Sequence, residues 1–149
     1  WNECAESVPV QSLYNTPAMF QLYMTDLIMQ KIYGERFEFD IKKVHRWVQR
    51  RANTIYKIIE EYPTFYRNEI DASCRSVMNI PLRIYDVEEK RYDTVLEWQF
   101  LKQAEEEWYL KQLAGDESIG GMRISLSAGI SDDSVKSVAK FMKYFGDHQ

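Results

Sequence analysis

Asn15, Thr16 and Pro17 form the first stretch whose residue types could bind an anion. Their order is typical of a helix N-terminus, because proline lacks the N–H group that the first helical position leaves unpaired. Free N–H groups and a partial positive charge at such a terminus could hold a phosphate. The same residues could equally form a plain helix cap, and the pattern alone favours the cap.

Gly120 and Gly121 lead into a second such stretch, which contains Arg123. Two glycines allow backbone conformations and close approaches that other residues resist. Met122 and Ile124 alternate with Arg123, so a strand here would turn the arginine away from the core face. The planar guanidinium group suits a carboxylate or a phosphate, although an ordinary surface arginine also fits the pattern.

The remaining residue types exclude several kinds of site. The sequence has only two histidines, His45 and His148, and two cysteines, Cys4 and Cys74. These are too few at any usable spacing for a zinc site, and too few for a disulfide framework. We therefore predict no metal, and a reduced cytoplasmic compartment fits the cysteines best. The sequence also lacks a nucleophile elbow and a glycine-rich phosphate loop.

Composition places the chain among globular domains. Its 149 residues carry a formal net charge of −4, with 45% hydrophobic and 28% charged residues. No broad basic surface invites nucleic acid or anionic lipid, and no apolar run is long enough to cross a membrane. A basic run of residues lies opposite the apolar stripe of the second predicted helix, and we interpret it as a solvated face. Its members are Lys42, Lys43, Arg46, Arg50 and Arg51.

Apolar spacing predicts the elements that must position these residues. A first helix follows Pro17 and ends at Gly34, and a second helix begins after Asp40 and ends at Tyr62 and Pro63. The spacing by threes and fours marks the inward residues of both helices. For the first helix they are Phe20, Met24, Leu27, Ile28 and Ile32, and for the second they are Ile41, Val44, Val48, Ala52, Ile55 and Ile59.

Strand patterns appear after the second predicted helix. Short strands are predicted at residues 65–67, 77–84 and 122–127, and Pro81 would place the second of them at a sheet edge or a bulge. A third helix starts at Thr94 with Glu97 as its capping-box partner. A last helix is capped by Ser131 and ends at Gly146. The order predicts an α+β fold, in which helices cover one face of a small, mostly antiparallel sheet.

Five blocks, spread along residues 11–145, match the ordered motifs of a known family. They are Ser12-Leu13-Tyr14-Asn15-Thr16-Pro17, Phe65-Tyr66-Arg67-Asn68 with Arg75-Ser76-Val77-Met78-Asn79-Ile80-Pro81, Leu96-Glu97 with Phe100-Leu101 and Ala104, Gly120-Gly121-Met122-Arg123, and Val138-Ala139-Lys140-Phe141-Met142. In these blocks the chain resembles the phosphoserine aminotransferases, which belong to the fold-type I group of aminotransferases.

This resemblance implies an enzyme that uses pyridoxal phosphate, forms a homodimer, and moves an amino group between glutamate and 3-phosphohydroxypyruvate in serine biosynthesis. Residues 1–14 would be an extended segment that enters from a missing large domain. Residues 15–149 would be the connecting helix and the C-terminal small domain. The chain begins at Trp1 rather than at a methionine. Because no lysine here lies in the motif of the Schiff-base lysine, this piece is expected to be inactive alone.

The resemblance also implies roles for particular residues. Asn15 and Thr16 would bind the cofactor phosphate of the other subunit, and Arg123 would bind the substrate α-carboxylate. Asp116 and Glu117 stand where the family has a His and an Arg that bind the substrate phosphate. Two carboxylates there would repel a phosphate. We therefore keep two alternatives: a non-catalytic dimerisation or interaction module, and a transaminase with a non-phosphorylated substrate.

Overall fold

The computed structural model describes residues 16–116 and 120–149, and the chain divides into two compact units between Ile41 and Lys42. In the first unit, helix α1 spans Met19–Ile28 and continues directly as a π-helix over Met29–Glu35. The predicted first helix is therefore confirmed. No helix in the described ranges combines the length and the apolarity that a membrane span requires.

Both ends of this first helix differ from the prediction. Ala18, rather than Asn15 or Thr16, is the N-cap, and no side chain caps the helix. Gly34 does not end the helical segment, which runs on to Glu35. A Cβ atom at position 34 would lie 2.8 Å from the Phe39 Cζ atom, so a larger residue would displace the exposed Phe39 ring.

The apolar side chains of α1 are exposed in the part of the chain that the structure describes. Helix α1 and the π-helix contain no buried residue, and Phe20 is 70% exposed. Such a cluster of exposed apolar side chains is unusual on the surface of a monomeric protein and is typical of an interaction site. Its larger members are Met19, Phe20, Leu22, Tyr23, Met24, Leu27, Ile28 and Met29.

The second unit packs three helices and a four-stranded sheet. Helix α2 spans Ile41–Glu61, α3 spans Thr94–Trp108 and α4 spans Asp132–Asp147. A short 3₁₀ helix covers Ala72–Cys74. The strands are β1 (Tyr66–Arg67), β2 (Asn79–Asp86), β3 (Arg91–Tyr92) and β4 (Met122–Ser125). This arrangement confirms the predicted α+β class, and it adds β3, which the sequence pattern did not predict.

Strand β2 is the strand to which the others pair, always antiparallel. Leu82 is opposite Met122 on β4, Ile84 is opposite Tyr66 on β1, and Tyr85 is opposite Tyr92 on β3. Ile80, Leu82 and Ile84 turn one face of β2 into the core, with at most 1% of each side chain exposed. The predicted alternation is therefore confirmed for these three residues.

Pro81 is predicted to lie at a sheet edge or a bulge; β2 as a whole is a central strand, but the ladder with β1 covers only Arg83 and Ile84, so Pro81 has a neighbouring strand on one side only. Pro81 is opposite Arg123 in the β2–β4 pair, but the Arg123 N–H donates to the Leu113 carbonyl at 2.8 Å. The proline nitrogen therefore has no ladder bond to make at this position. On the side of β2 that faces away from β4, the Pro81 carbonyl accepts from the Asn68 side-chain amide at 2.7 Å. A side chain thus replaces the missing strand, and the proline is tolerated within a central strand.

The core between the sheet and the helices is rich in aromatic rings. Phe100 of α3 lies with its ring centroid 4.7 Å from that of Phe141 and 5.1 Å from that of Phe145. The Tyr66 hydroxyl donates to the Met142 carbonyl at 2.8 Å. Burial raises the pKa of Tyr66 well above its usual value, so this donor stays protonated.

The caps of the later helices correct two further predictions. Asp93, rather than Thr94, caps α3, and its carboxylate accepts from the N–H groups of Val95 and Leu96. Glu97 is therefore not the partner of a capping box. Ser131 caps α4 as predicted, but the helix continues through Gly146 to Asp147.

Candidate functional site

Arg123 lies on β4 between two core residues, as the alternation predicted. Met122 and Ile124 are 1% and 2% exposed, whereas Arg123 is exposed on the opposite face of the strand. Its side chain lines a pocket of about 510 Å³ that lies entirely within the second unit. The pocket combines polar and apolar walls, which is the usual composition of a site for a small organic ligand.

The chain between α3 and β4 forms one wall of this pocket. Residues 113–115 run beside β4, where the Arg123 N–H donates to the Leu113 carbonyl and the Gly115 N–H donates to the Gly121 carbonyl at 2.9 Å. Residues 109–112 precede this segment in the chain and also line the pocket. The outer edge of β4 at Ser125 is therefore left open to the pocket.

Gly121 fits a position that no other residue could occupy without displacement. Its φ of 72° lies in the left-handed region, and a Cβ atom there would lie 2.8 Å from the Arg83 Nε atom and 2.9 Å from the Leu82 carbonyl oxygen. Gly120 has a similar φ of 74°. The paired glycines thus let the chain enter β4 directly against the side chain of Arg83.

A nearly buried ion pair holds Arg83 in this position. Its Nε atom lies 2.6 Å from one carboxylate oxygen of Glu97, and an Nη atom donates to the other oxygen at 3.2 Å. Glu97 is 5% exposed and also accepts from the Ile84 N–H at 3.1 Å. The guanidinium carbon lies 4.2 Å from the ring centroid of Tyr92. Sequence reasoning assigned Glu97 to a cap and missed this pair.

Arg51 contradicts the interpretation of the basic run as a solvated face. It is 3% exposed, and its guanidinium group donates to the carbonyls of Ile130 at 2.7 Å and Ser127 at 3.3 Å. Its guanidinium carbon lies 4.4 Å from the ring of Trp47, which itself donates to Asp132. These carbonyls replace the water that a charged group loses on burial, so the arginine can lie in the interior. In turn, its hydrogen bonds to two carbonyls hold the loop that follows β4.

Two solved structures have the same fold over nearly the whole chain. The phosphoserine aminotransferase from Bacillus circulans subsp. alkalophilus superposes with a TM-score of 0.80 and 30% identity, covering 95% of this chain and 36% of that one. The PLP-bound enzyme from Trichomonas vaginalis superposes with a TM-score of 0.76 and 26% identity, covering 92% and 36%.

The chain is similar to a part of phosphoserine aminotransferase. Chloroplastic phosphoserine aminotransferase 1 of Arabidopsis thaliana is 36% identical over 134 residues, which are 90% of this chain and 29% of the relative. The phosphoserine aminotransferase of Buchnera aphidicola is 35% identical over 134 residues, which are 90% and 34%. The chain thus spans about a third of the length of these relatives. No protein-family model matches it.

The structure describes three of the five residues that the resemblance to phosphoserine aminotransferase singled out. Arg123 lines the pocket, whereas Asp116 is exposed and does not line it. Thr16 is exposed and precedes α1 by three residues. Asn15 and Glu117 lie outside the described residues. Within residues 16–116 and 120–149, no group of three His, Cys, Asp or Glu side chains could hold a metal ion.

Replacing Arg51 tests whether it stabilises the loop after β4. We expect Arg51→Lys to lower the free energy of unfolding by about 2 kcal/mol, because lysine cannot stack on Trp47 and reach two carbonyls together. Arg50→Lys is the matched control, since Arg50 is exposed on the same helix, and it should change stability by less than about 0.5 kcal/mol. Urea unfolding measures both. Equal stabilities of the two variants would contradict the role given to Arg51.

Proposed function

We propose that the whole protein is a pyridoxal-phosphate-dependent aminotransferase that moves an amino group between glutamate and 3-phosphohydroxypyruvate. The observation that supports this most is the agreement of sequence and fold with phosphoserine aminotransferases over 90% or more of the chain. Serine biosynthesis is the pathway that such a reaction would serve. In this proposal the chain supplies the small domain and its connecting helix.

Arg123 is the residue to which we assign the substrate α-carboxylate. Arg123 lines the pocket and lies on the exposed face of β4, as does Ser125. A bidentate pair with a carboxylate would fix the orientation of the amino or keto acid. The buried ion pair of Arg83 and Glu97 holds the glycines before Arg123, and Arg51 holds the loop after it.

Thr16, together with Asn15, is the residue that we assign to the cofactor phosphate of the partner subunit. The structure fits this assignment because Ala18 provides no side-chain cap to α1. The Thr16 hydroxyl is thus not used in capping, and the first turn of the helix attracts an anion. Pyridoxal phosphate supplies the electron sink of transamination when bound. The residues of this chain would hold its phosphate and orient the substrate.

The exposed apolar face of α1 supports the proposed assembly. Eight large apolar side chains of this segment are exposed, from Phe20 at 70% to Leu27 at 37%. We infer that the large domain of the same protein and a second subunit of a homodimer cover them. The burial of such a surface would provide most of the free energy of association.

The cytoplasm is the compartment that we propose for the protein. Cys74 is a free and exposed thiol, which fits a reducing environment. The Arabidopsis relatives carry the word chloroplastic in their names. Fluorescence imaging of the tagged full-length protein in its native cell tests the assignment, and an organellar signal would contradict it.

Activity of the full-length protein is the direct test of the proposed function. We expect it to transfer the amino group of glutamate to 3-phosphohydroxypyruvate when pyridoxal phosphate is present. The 149-residue chain should show no transfer under the same conditions, because it has no lysine in the cofactor-binding motif. A coupled assay of 2-oxoglutarate release measures both. Turnover by the short chain would refute the assignment of the lysine to another domain.

Thr16→Ala tests the assignment of the cofactor phosphate. In the full-length protein, we expect the dissociation constant of pyridoxal phosphate to rise about tenfold, because a charge-assisted hydrogen bond is lost. Thr25→Ala is the control, since the Thr25 hydroxyl donates to the Gln21 carbonyl at 2.8 Å on the same helix. Equilibrium dialysis measures cofactor retention. Unchanged retention of the cofactor by Thr16→Ala would contradict the assignment of Thr16 to the cofactor phosphate.

A transaminase with a non-phosphorylated substrate is the second candidate, and Asp116 with Glu117 is the observation that favours it. If these carboxylates face the substrate phosphate, Asp116→His with Glu117→Arg should raise kcat/KM for phosphoserine at least about tenfold. The values for unphosphorylated amino acids should change little. If the native protein already uses phosphoserine efficiently and the double variant gains nothing, another cation holds the phosphate.

A further inference from the structure

Lys111 lines the same pocket as Arg123. The two side chains are exposed, and they are the cationic residues of the pocket lining. Among the residues that the structure describes, neither Asp nor Glu lines this pocket. The pocket therefore offers two positive charges to a ligand, and no carboxylate of the described lining neutralises them. The family motifs that led to Arg123 gave no reason to single out Lys111.

The backbone on both sides of Lys111 adopts an unusual conformation. Tyr109 has a φ of 56° and Gln112 a φ of 60°, so both lie in the left-handed region that residues with a Cβ atom seldom adopt. These two turns lead the chain from the end of α3 to the segment beside β4. Strained backbone of this kind is often retained where it presents a side chain to a ligand.

Apolar residues and serines line the pocket beside Lys111 and Arg123. The pocket lining includes the apolar side chains of Leu126 and Val138 and the hydroxyl groups of Ser125 and Ser134. A ligand with an acidic group at each end and methylene groups between them would satisfy both cations and contact the apolar wall. A ligand with one acidic group would leave one cation without a partner.

We propose that Lys111 binds the second carboxylate of a dicarboxylic amino or keto acid whose α-carboxylate pairs with Arg123. This inference rests on the proposed function and names a residue that selects the amino donor. A carboxylate is favoured over a phosphate because Lys111 brings a single charge.

Binding of simple acids to the full-length protein tests the proposal without the need for turnover. Calorimetry with glutarate, butyrate and 3-phosphonopropionate compares two carboxylates, one carboxylate, and a carboxylate with a phosphonate. We expect Lys111→Met to weaken glutarate about fivefold and butyrate less than about twofold, since an exposed charge contributes modestly. Lys102→Met is the matched control, because Lys102 stacks on Trp98 and does not line the pocket.

Three results would overturn the inference. The first is equal binding of glutarate and butyrate to the native protein, and the second is an equal effect of Lys111→Met on both acids. The third is a preference for 3-phosphonopropionate that Lys111→Met abolishes, which would assign the lysine to a phosphate. Activity assays separate this inference from the proposed function, since a protein without transaminase activity can still show the expected binding. With activity present, Lys111→Met should raise KM for glutamate more than it lowers kcat.

Discussion

The carboxylate of Glu97 joins helix α3 to strand β2 in the interior of the second unit, and the geometry of the site depends on it. Its two oxygens bind Arg83 and the Ile84 N–H, so this buried charge is paired and hydrogen-bonded. An unpaired carboxylate at the same place would strongly destabilise the fold. Arg83 is thereby held against the chain that enters β4. Only glycine fits at position 121 beside it, and Arg123 follows two residues later.

A second buried charge supports the other end of β4. Arg51 reaches from α2 to the carbonyls of Ser127 and Ile130, directly after the strand. The strand that carries Arg123 is therefore fixed at its start by one arginine and at its end by another. Binding residues that rest on such a rigid support lose little conformational freedom when a ligand arrives, and this favours tight and selective binding.

The first unit differs from the second in what stabilises it. The described helical segment of the first unit contains no buried residue, although its apolar spacing is that of a core helix. Isolated helices of this length are marginal in water, so most of the stability of such a helix must come from packing against other surfaces. The chain spans about a third of the length of its relatives, and this exposed face is the surface that we propose a large domain and a second subunit cover.

The sequence by itself determined the class of fold, the helices, the core alternation of β2 and β4, and the exposure of Arg123, because these follow from local periodicity. It did not determine that Arg51 and Glu97 are buried, since charged residues are normally solvated and only a partner changes this. Those partners are remote: Arg51 and the Ile130 carbonyl are separated by 79 positions. Which charges meet, and which lysine shares the pocket of Arg123, was decided by the tertiary structure, because it alone brings distant segments together.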